Sequence, residues 1–308
     1  MAFLAMSTKQ SWFATGIFFA ILWPSASTAT KLALSSGQPL VVACCRFAIA
    51  ACIMLFIAHV IRRKRLPRRE EWKQLAIYGL LNISVYLGLY VIAMEEVTAS
   101  IGALTVAASP VFISFLSFIL LKKPISVPIL LALLICISGF VVVAWPLIGA
   151  ATVTVRGLSL LIVSMFSYSI GTIYFSSKQW NGLHLLTING WQTLMGGLFL
   201  LPFMFFTYQS SANHFNYNFW MGTIWLALPV SIVAVLLWLK LIQQDPVKAG
   251  LWLFLCPVFG ILIAVLLMKD KISAFTVAGV LLVLLGLAIS HYGKRKFSIP
   301  FRRYIFRN

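Results

Sequence analysis

The chain has 308 residues, 61% of them hydrophobic and 10% charged, with a mean hydropathy of +0.99 and a formal net charge of +18. Soluble domains carry about 25% charged residues, so this chain has too little polar surface to fold as a globule in water. Its basic excess invites a nucleic-acid partner, but the placement of the charges, given below, argues for a lipid surface instead.

Ten apolar stretches, each of a length to span a bilayer, follow one another at 12–33, 39–61, 72–93, 98–121, 126–147, 155–177, 184–207, 219–242, 247–268 and 273–292. The first holds Trp23 and Pro24 near its middle and Lys31 at its end. Its SASTA segment has the small residues of a cleavage site, yet the span has a partner later in the chain and is read as retained. The second carries Arg46 well inside it. A charge in hydrocarbon costs at least ~2.5 kcal/mol, so this one must face protein or water. Two readings follow: a guanidinium that clasps a substrate carboxylate through two hydrogen bonds, or one that ties helices through backbone carbonyls or snorkels outward. In the third stretch Tyr78, Asn82, Tyr86 and Tyr90 recur every fourth residue and share a helix face. Asn82 and Tyr86 are candidates for lining a site, while Tyr78 and Tyr90 also fit an interfacial aromatic belt.

The fourth stretch has Pro110 at its middle, and the ninth has Pro257. With Pro24 they form three prolines at one depth. Each removes a backbone donor, and together they fit either a hinge beside a cavity or ordinary helix curvature. The sixth stretch contributes Tyr168 and the seventh Trp191 and Gln192. The cysteines, Cys44, Cys45, Cys52, Cys136 and Cys256, all lie in apolar stretches without a C-x-x-C, and read as small buried hydrophobes. The four histidines are scattered, so no metal constellation is expected.

With ten spans both termini share a side. Placing them in the cytoplasm puts 19 of the 24 Lys and Arg residues inside, including the loop RRKRLPRREEWK and the tail from Lys294 to Arg307. That asymmetry is the positive-inside pattern, and it predicts an inner (plasma) membrane protein with cytoplasmic termini. The basic loops then meet anionic headgroups, with no nucleic acid required.

The chain also repeats itself. From Pro110 to Ser126 it matches Pro257 to Ser273 without a gap at 7 of 17 positions, an offset of 147 residues. At the same offset Gly139 falls on Gly286, Pro24 on Gly171 and Lys31 on Lys178, and after a one-residue slip Arg46 falls on Gln192. The expected domains are therefore two five-helix halves, 1–150 and 151–308. Five is odd, so the second half enters the membrane upside down. The predicted fold class is an all-α integral membrane protein whose ten transmembrane helices form two inverted-topology repeats, a symmetry that lets a midplane site open to either side in turn.

These features resemble the drug/metabolite transporter superfamily, in particular its ten-helix members built from two EamA-type repeats. The resemblance rests on LWPSASTATKLALSSGQPLVVACCRFAIA and VTASIGALTVAASPVF in the first half, and on GWQTLMGGLFLLP and DPVKAGLWLFLCPVF in the second. It implies a carrier of small metabolites such as amino acids, nucleosides or purines, or hydrophobic drugs. It also sets Trp23, Tyr168 and Trp191 near the cavity helices, either as packing aromatics or as stacking walls for flat substrates. A departure concerns the Glu that such proteins carry after the fourth span of each half. Here Lys123 and Asp270 take those positions.

The remaining exclusions narrow the chemistry. No H-E-x-x-H, G-x-S-x-G or phosphate-binding loop occurs, so neither an intramembrane enzyme nor an ATP-driven pump is expected, and no cofactor is implied. The six acids, Glu70, Glu71, Glu95, Glu96, Asp245 and Asp270, all lie at or beyond span ends. The sequence thus predicts an exporter of amino acids or similar metabolites that works by alternating access. Expected contacts of the solute are Trp23, Arg46, Asn82, Tyr86, Tyr168, Trp191 and Gln192, with Pro24, Pro110 and Pro257 as hinges. The alternatives are a multidrug or nucleoside/purine efflux carrier of the same fold, or a membrane receptor or scaffold.

Overall fold

The computed structural model describes residues 8–121, 127–149, 153–244, 252–253 and 255–296. Lys123 and Asp245 lie outside these. The described residues are mostly helical, with no strand among them. The first span is broken into α1 (Thr8–Leu22) and α2 (Ser25–Leu34) at Trp23 and Pro24. Next come α3 (Pro39–Leu55), α4 (Arg69–Gly79), α5 (Tyr86–Ala93), α6 (Ala99–Ala107) and α7 (Ser109–Leu121), then α8 (Val127–Gly149). The second half runs through α9 (Val155–Ser177), α10 (Leu185–Thr207), α11 (Tyr217–Trp225), α12 (Val235–Gln244), α13 (Cys256–Met268) and α14 (Ala274–Lys296).

Local chemistry sets several starts. Pro39 opens α3, where its missing N–H costs nothing. The side chains of Thr98, Thr154 and Asn216 cap α6, α9 and α11 by accepting from Ile101, Gly157 and Phe219 amides. Seven of the ten apolar stretches form helices long and apolar enough to cross a membrane, among them Pro39–Ile61 and Arg69–Ala93. The fourth stretch makes an eighth if its two pieces count as one span, bent by 41° between Val106 and Val111. Pro110 falls in that break. The last two stretches give shorter apolar segments, Cys256–Met268 and Ala274–Ile289.

Large apolar side chains such as Trp145, Phe206 and Leu266 point outward from the bundle, a surface suited to lipid and not to water. Cys136 and Cys256 are buried as expected, but Cys52 is exposed on that outer surface.

The packing follows the repeat. Helices α3 and α10, the second spans of the two halves, pack on each other, as do α8 and α14, the fifth spans. The α5–α9 contact has its counterpart in α12–α1. Along α8 and α14 the match reaches single residues. A Cβ on Gly279 would come 2.6 Å from the Gly139 carbonyl, and one on Gly286 2.9 Å from that of Ala132. These two contacts exchange under the 147-residue offset, so the helices approach backbone to backbone, as small residues permit in membranes.

Two wide π-helical turns also recur in register. Leu80–Val85 links α4 to α5, and Leu226–Ala234 links α11 to α12. A π turn frees a backbone carbonyl and rotates the side chains beyond it. Both turns face the centre of the bundle, and both contribute to the site described next.

Candidate functional site

A cavity of about 270 Å³ lies between the halves, lined from α3, α4, α5 and the turn between them in the first, and from α9, α10, α12 and the turn before it in the second. Trp23 at the α1–α2 break, Ala26 on α2 and Val106 on α6 close it. It extends toward the end of the bundle where α9 finishes and α10 begins, since Ser176 and Leu185 belong to its wall. At the opposite end the elements are tied together. Tyr90 and Ser27 share a buried hydrogen bond of 2.8 Å, and Lys31 Nζ donates to the Met94 carbonyl at 2.8 Å. Asp270 holds the start of α6 by accepting from the Ser100 amide at 3.0 Å and its hydroxyl at 2.7 Å.

Arg46 projects into the cavity from α3 and is only 8% exposed. Its Nε donates to Ser231 Oγ at 3.1 Å, and Ser231 in turn donates to the Leu226 carbonyl at the start of the π turn. Its guanidinium also lies 5.6 Å from the Phe47 ring centre. Among the described residues the ion pairs are Arg65–Glu71 and Arg156–Glu96, so Arg46 has no carboxylate partner there. It alone among the described lining residues carries a charge.

Across the cavity Gln192 donates through Nε2 to Asn189 Oδ1 at 2.8 Å, and its Oε1 faces Asn82 Nδ2 at 3.5 Å. The buried Oδ1 of Asn82 has no partner. An unpaired buried acceptor is costly and is satisfied most simply by a donor in the cavity.

The remaining wall is aromatic. Tyr86 sits 4.8 Å from Tyr168 between ring centres, and Tyr78 stacks on Phe175 at 5.1 Å. Trp23 and Trp238 flank Phe19, the latter stacked at 4.9 Å. Such a wall offers flat faces to a planar or apolar body while the polar row fixes its orientation.

Six of the residues singled out in the sequence, Trp23, Arg46, Asn82, Tyr86, Tyr168 and Gln192, thus share one cavity. Trp191 does not line it. One residue before Gln192, it lies about 100° around the helix, where its Nε1 donates to His59 Nε2 at 3.0 Å and its ring packs edge-on against Trp72. Tyr78 and Tyr90 belong to the cavity wall instead of an interfacial belt. Pro24 sits at the α1–α2 break and Pro257 is the second residue of α13. Ser231, Asn189 and Trp238 had no sequence signal of their own, although Ser231 stands 147 residues after Ser84, which donates to the Gly196 carbonyl at 2.7 Å.

The fold and the cavity together define a multi-pass membrane transporter of the drug/metabolite type. The sequence model of the EamA-like transporter family matches residues 10–145 and again 155–292, and the chain belongs to that family. Protein PecM of Dickeya dadantii is 26% identical over 287 residues, covering 91% of this chain and 93% of that protein. An uncharacterized transporter of Archaeoglobus fulgidus is 26% identical over 87% of this chain and 94% of its own. The uncharacterized transporter YvbV of Bacillus subtilis is 24% identical over 88% of each. One solved crystal structure matches with a TM-score of 0.64 at 17% identity, covering 94% of this chain and 99% of that one, which speaks for the fold alone.

Proposed function

We propose that this transporter exports small metabolites such as amino acids across the inner (plasma) membrane, by alternating access of the cavity between an N-terminal repeat, 1–150, and an inverted C-terminal repeat, 151–308. The observation that carries the reading is the wall of the cavity. Its polar groups come from both halves at matching positions, Arg46 on α3 and Gln192 on α10. A solute held between them is released when the halves rock, which is how inverted repeats work around a fixed site.

In this reading Arg46 holds the solute carboxylate, Gln192 and Asn82 take up its polar remainder, and Trp23, Tyr86 and Tyr168 cover its body. Pro24, Pro110 and Pro257 lie at breaks or starts of helices and absorb the motion. With the basic loop Arg62–Arg65 cytoplasmic, the cavity as it stands reaches toward the cytoplasm, where an exporter loads.

The test is flux of labelled neutral, aromatic and acidic amino acids through the purified protein in sealed liposomes at equal pH on both sides. Saturable flux of one class is expected. No flux of any member would overturn the amino-acid reading and direct the search to nucleosides and apolar drugs, for which the aromatic wall also has room.

A further inference from the structure

A carrier that alternates must pass through a state in which its cavity is closed on both sides and drained of bulk water. Whatever charge is left unpaired at that moment is desolvated, and an uncompensated buried charge is strongly unfavourable. In this protein that charge is Arg46, and Ser231 offers it only a neutral hydroxyl.

No described acid stands ready to neutralise it. Glu71 is taken up by Arg65, Glu96 by Arg156, and Asp270 by Ser100. Glu70 is exposed, and Glu95 lies past the end of α5, beyond the Ser27–Tyr90 bond. A carboxylate on the solute supplies what these do not.

We infer that the cavity carries carboxylate-bearing solutes by obligatory exchange, closing readily when a solute carboxylate pairs with Arg46 and only slowly when the site is empty. The inference rests on the reading of this cavity as the transport site. It deepens that reading by making the solute carboxylate the group that licenses closure. One carboxylate-bearing solute then leaves for each that enters.

Radiolabelled phenylpyruvate is a suitable probe. Its uptake is measured into liposomes that hold the full-length protein and either unlabelled phenylpyruvate or sulfate alone. Preloaded vesicles are expected to take up label about a hundredfold faster, the desolvation of one unpaired charge being ample for that ratio. Preloading with phenylalanine, which carries the same carboxylate, is expected to accelerate uptake as well. Arg46→Lys keeps the charge and the ratio, whereas Arg46→Gln removes the charge to be buried and brings the ratio toward one. Equal uptake into preloaded and sulfate-filled vesicles by the unsubstituted protein overturns obligatory exchange and leaves the transport site standing. Absence of uptake into both overturns the cavity as a carboxylate site, and the exchange mechanism with it.

Discussion

Replacing Tyr90 by Phe removes one hydroxyl from the closed end of the bundle and little else. Tyr90 is 3% exposed and Ser27 1%, and their 2.8 Å hydrogen bond joins α5 to α2 at the far wall of the cavity. Side-chain hydrogen bonds between membrane helices are worth about 0.6 kcal/mol on average and up to about 1.7. Leaving the Ser27 hydroxyl unpaired sets the loss toward the upper part of that range, near 1 kcal/mol. In the alternating-access reading the bond exists only while this end is closed, so the loss falls on one state and shifts the balance between the two by about fivefold. The reporter is a cysteine at Ala26, which lines the cavity, in a protein whose native cysteines are replaced. Its labelling by an impermeant maleimide applied from the Tyr90 side should rise about fivefold in Tyr90→Phe. An unchanged rate would show that the Ser27–Tyr90 bond does not hold this end shut.

Arg46→Gln should raise the KM for carboxylate solutes about 10- to 100-fold, the loss of one charge-assisted contact, and leave uncharged solutes unaffected in the same flux assay. Glu71 is fully buried and accepts from Arg65 at 2.7 and 2.8 Å and from the Arg68 amide at 2.7 Å. Glu71→Gln should therefore cost about 2–3 kcal/mol, read as a lower melting temperature in detergent. Burial, and secondarily the Glu96 carboxylate, push the Glu95 carboxyl above its ordinary value, so the folded protein holds that proton more tightly than the unfolded chain. This stabilisation is full below the ordinary pKa of about 4.3 and is lost as pH rises through the raised value. Thermal unfolding of Glu95→Gln followed across this window should lack that part of the pH slope, and an unaltered slope would contradict it.

How far the sequence reached depends on which physical signal each feature leaves. Apolar runs of bilayer length are unmistakable, so the helices were legible. The bend at Val106–Val111 was foreshadowed only by Pro110. The π turns leave no residue signature beyond Pro229 in the second of them. They decide the site nonetheless, because the turn at Leu226–Ala234 brings Ser231 to Arg46. Buried polar residues announced themselves by their cost in lipid, which is why Arg46, Asn82 and Gln192 were visible. Ser231 was not, because a serine is cheap in a membrane helix. Trp191 shows the limit of reading by neighbourhood, since adjacent positions on a helix face different partners.

The symmetry of the chain is kept in some places and broken in others, and in the alternating-access reading proposed above the difference separates the fixed parts from the moving ones. Cys136 and Val283 are 147 residues apart and touch each other, Sγ to carbonyl at 3.8 Å, which places the pseudo-two-fold axis between α8 and α14. Around it the contacts exchange residue for residue, as in a joint that is the same in every state. At the ends of the cavity they do not. Lys31 is drawn in to the Met94 carbonyl, while its counterpart Lys178 is exposed, with Nζ 5.0 Å from the Tyr174 ring centre. In that reading one end carries the closed form of a contact and the other its open form, and reversing them requires only that each half adopt the arrangement already present in the other.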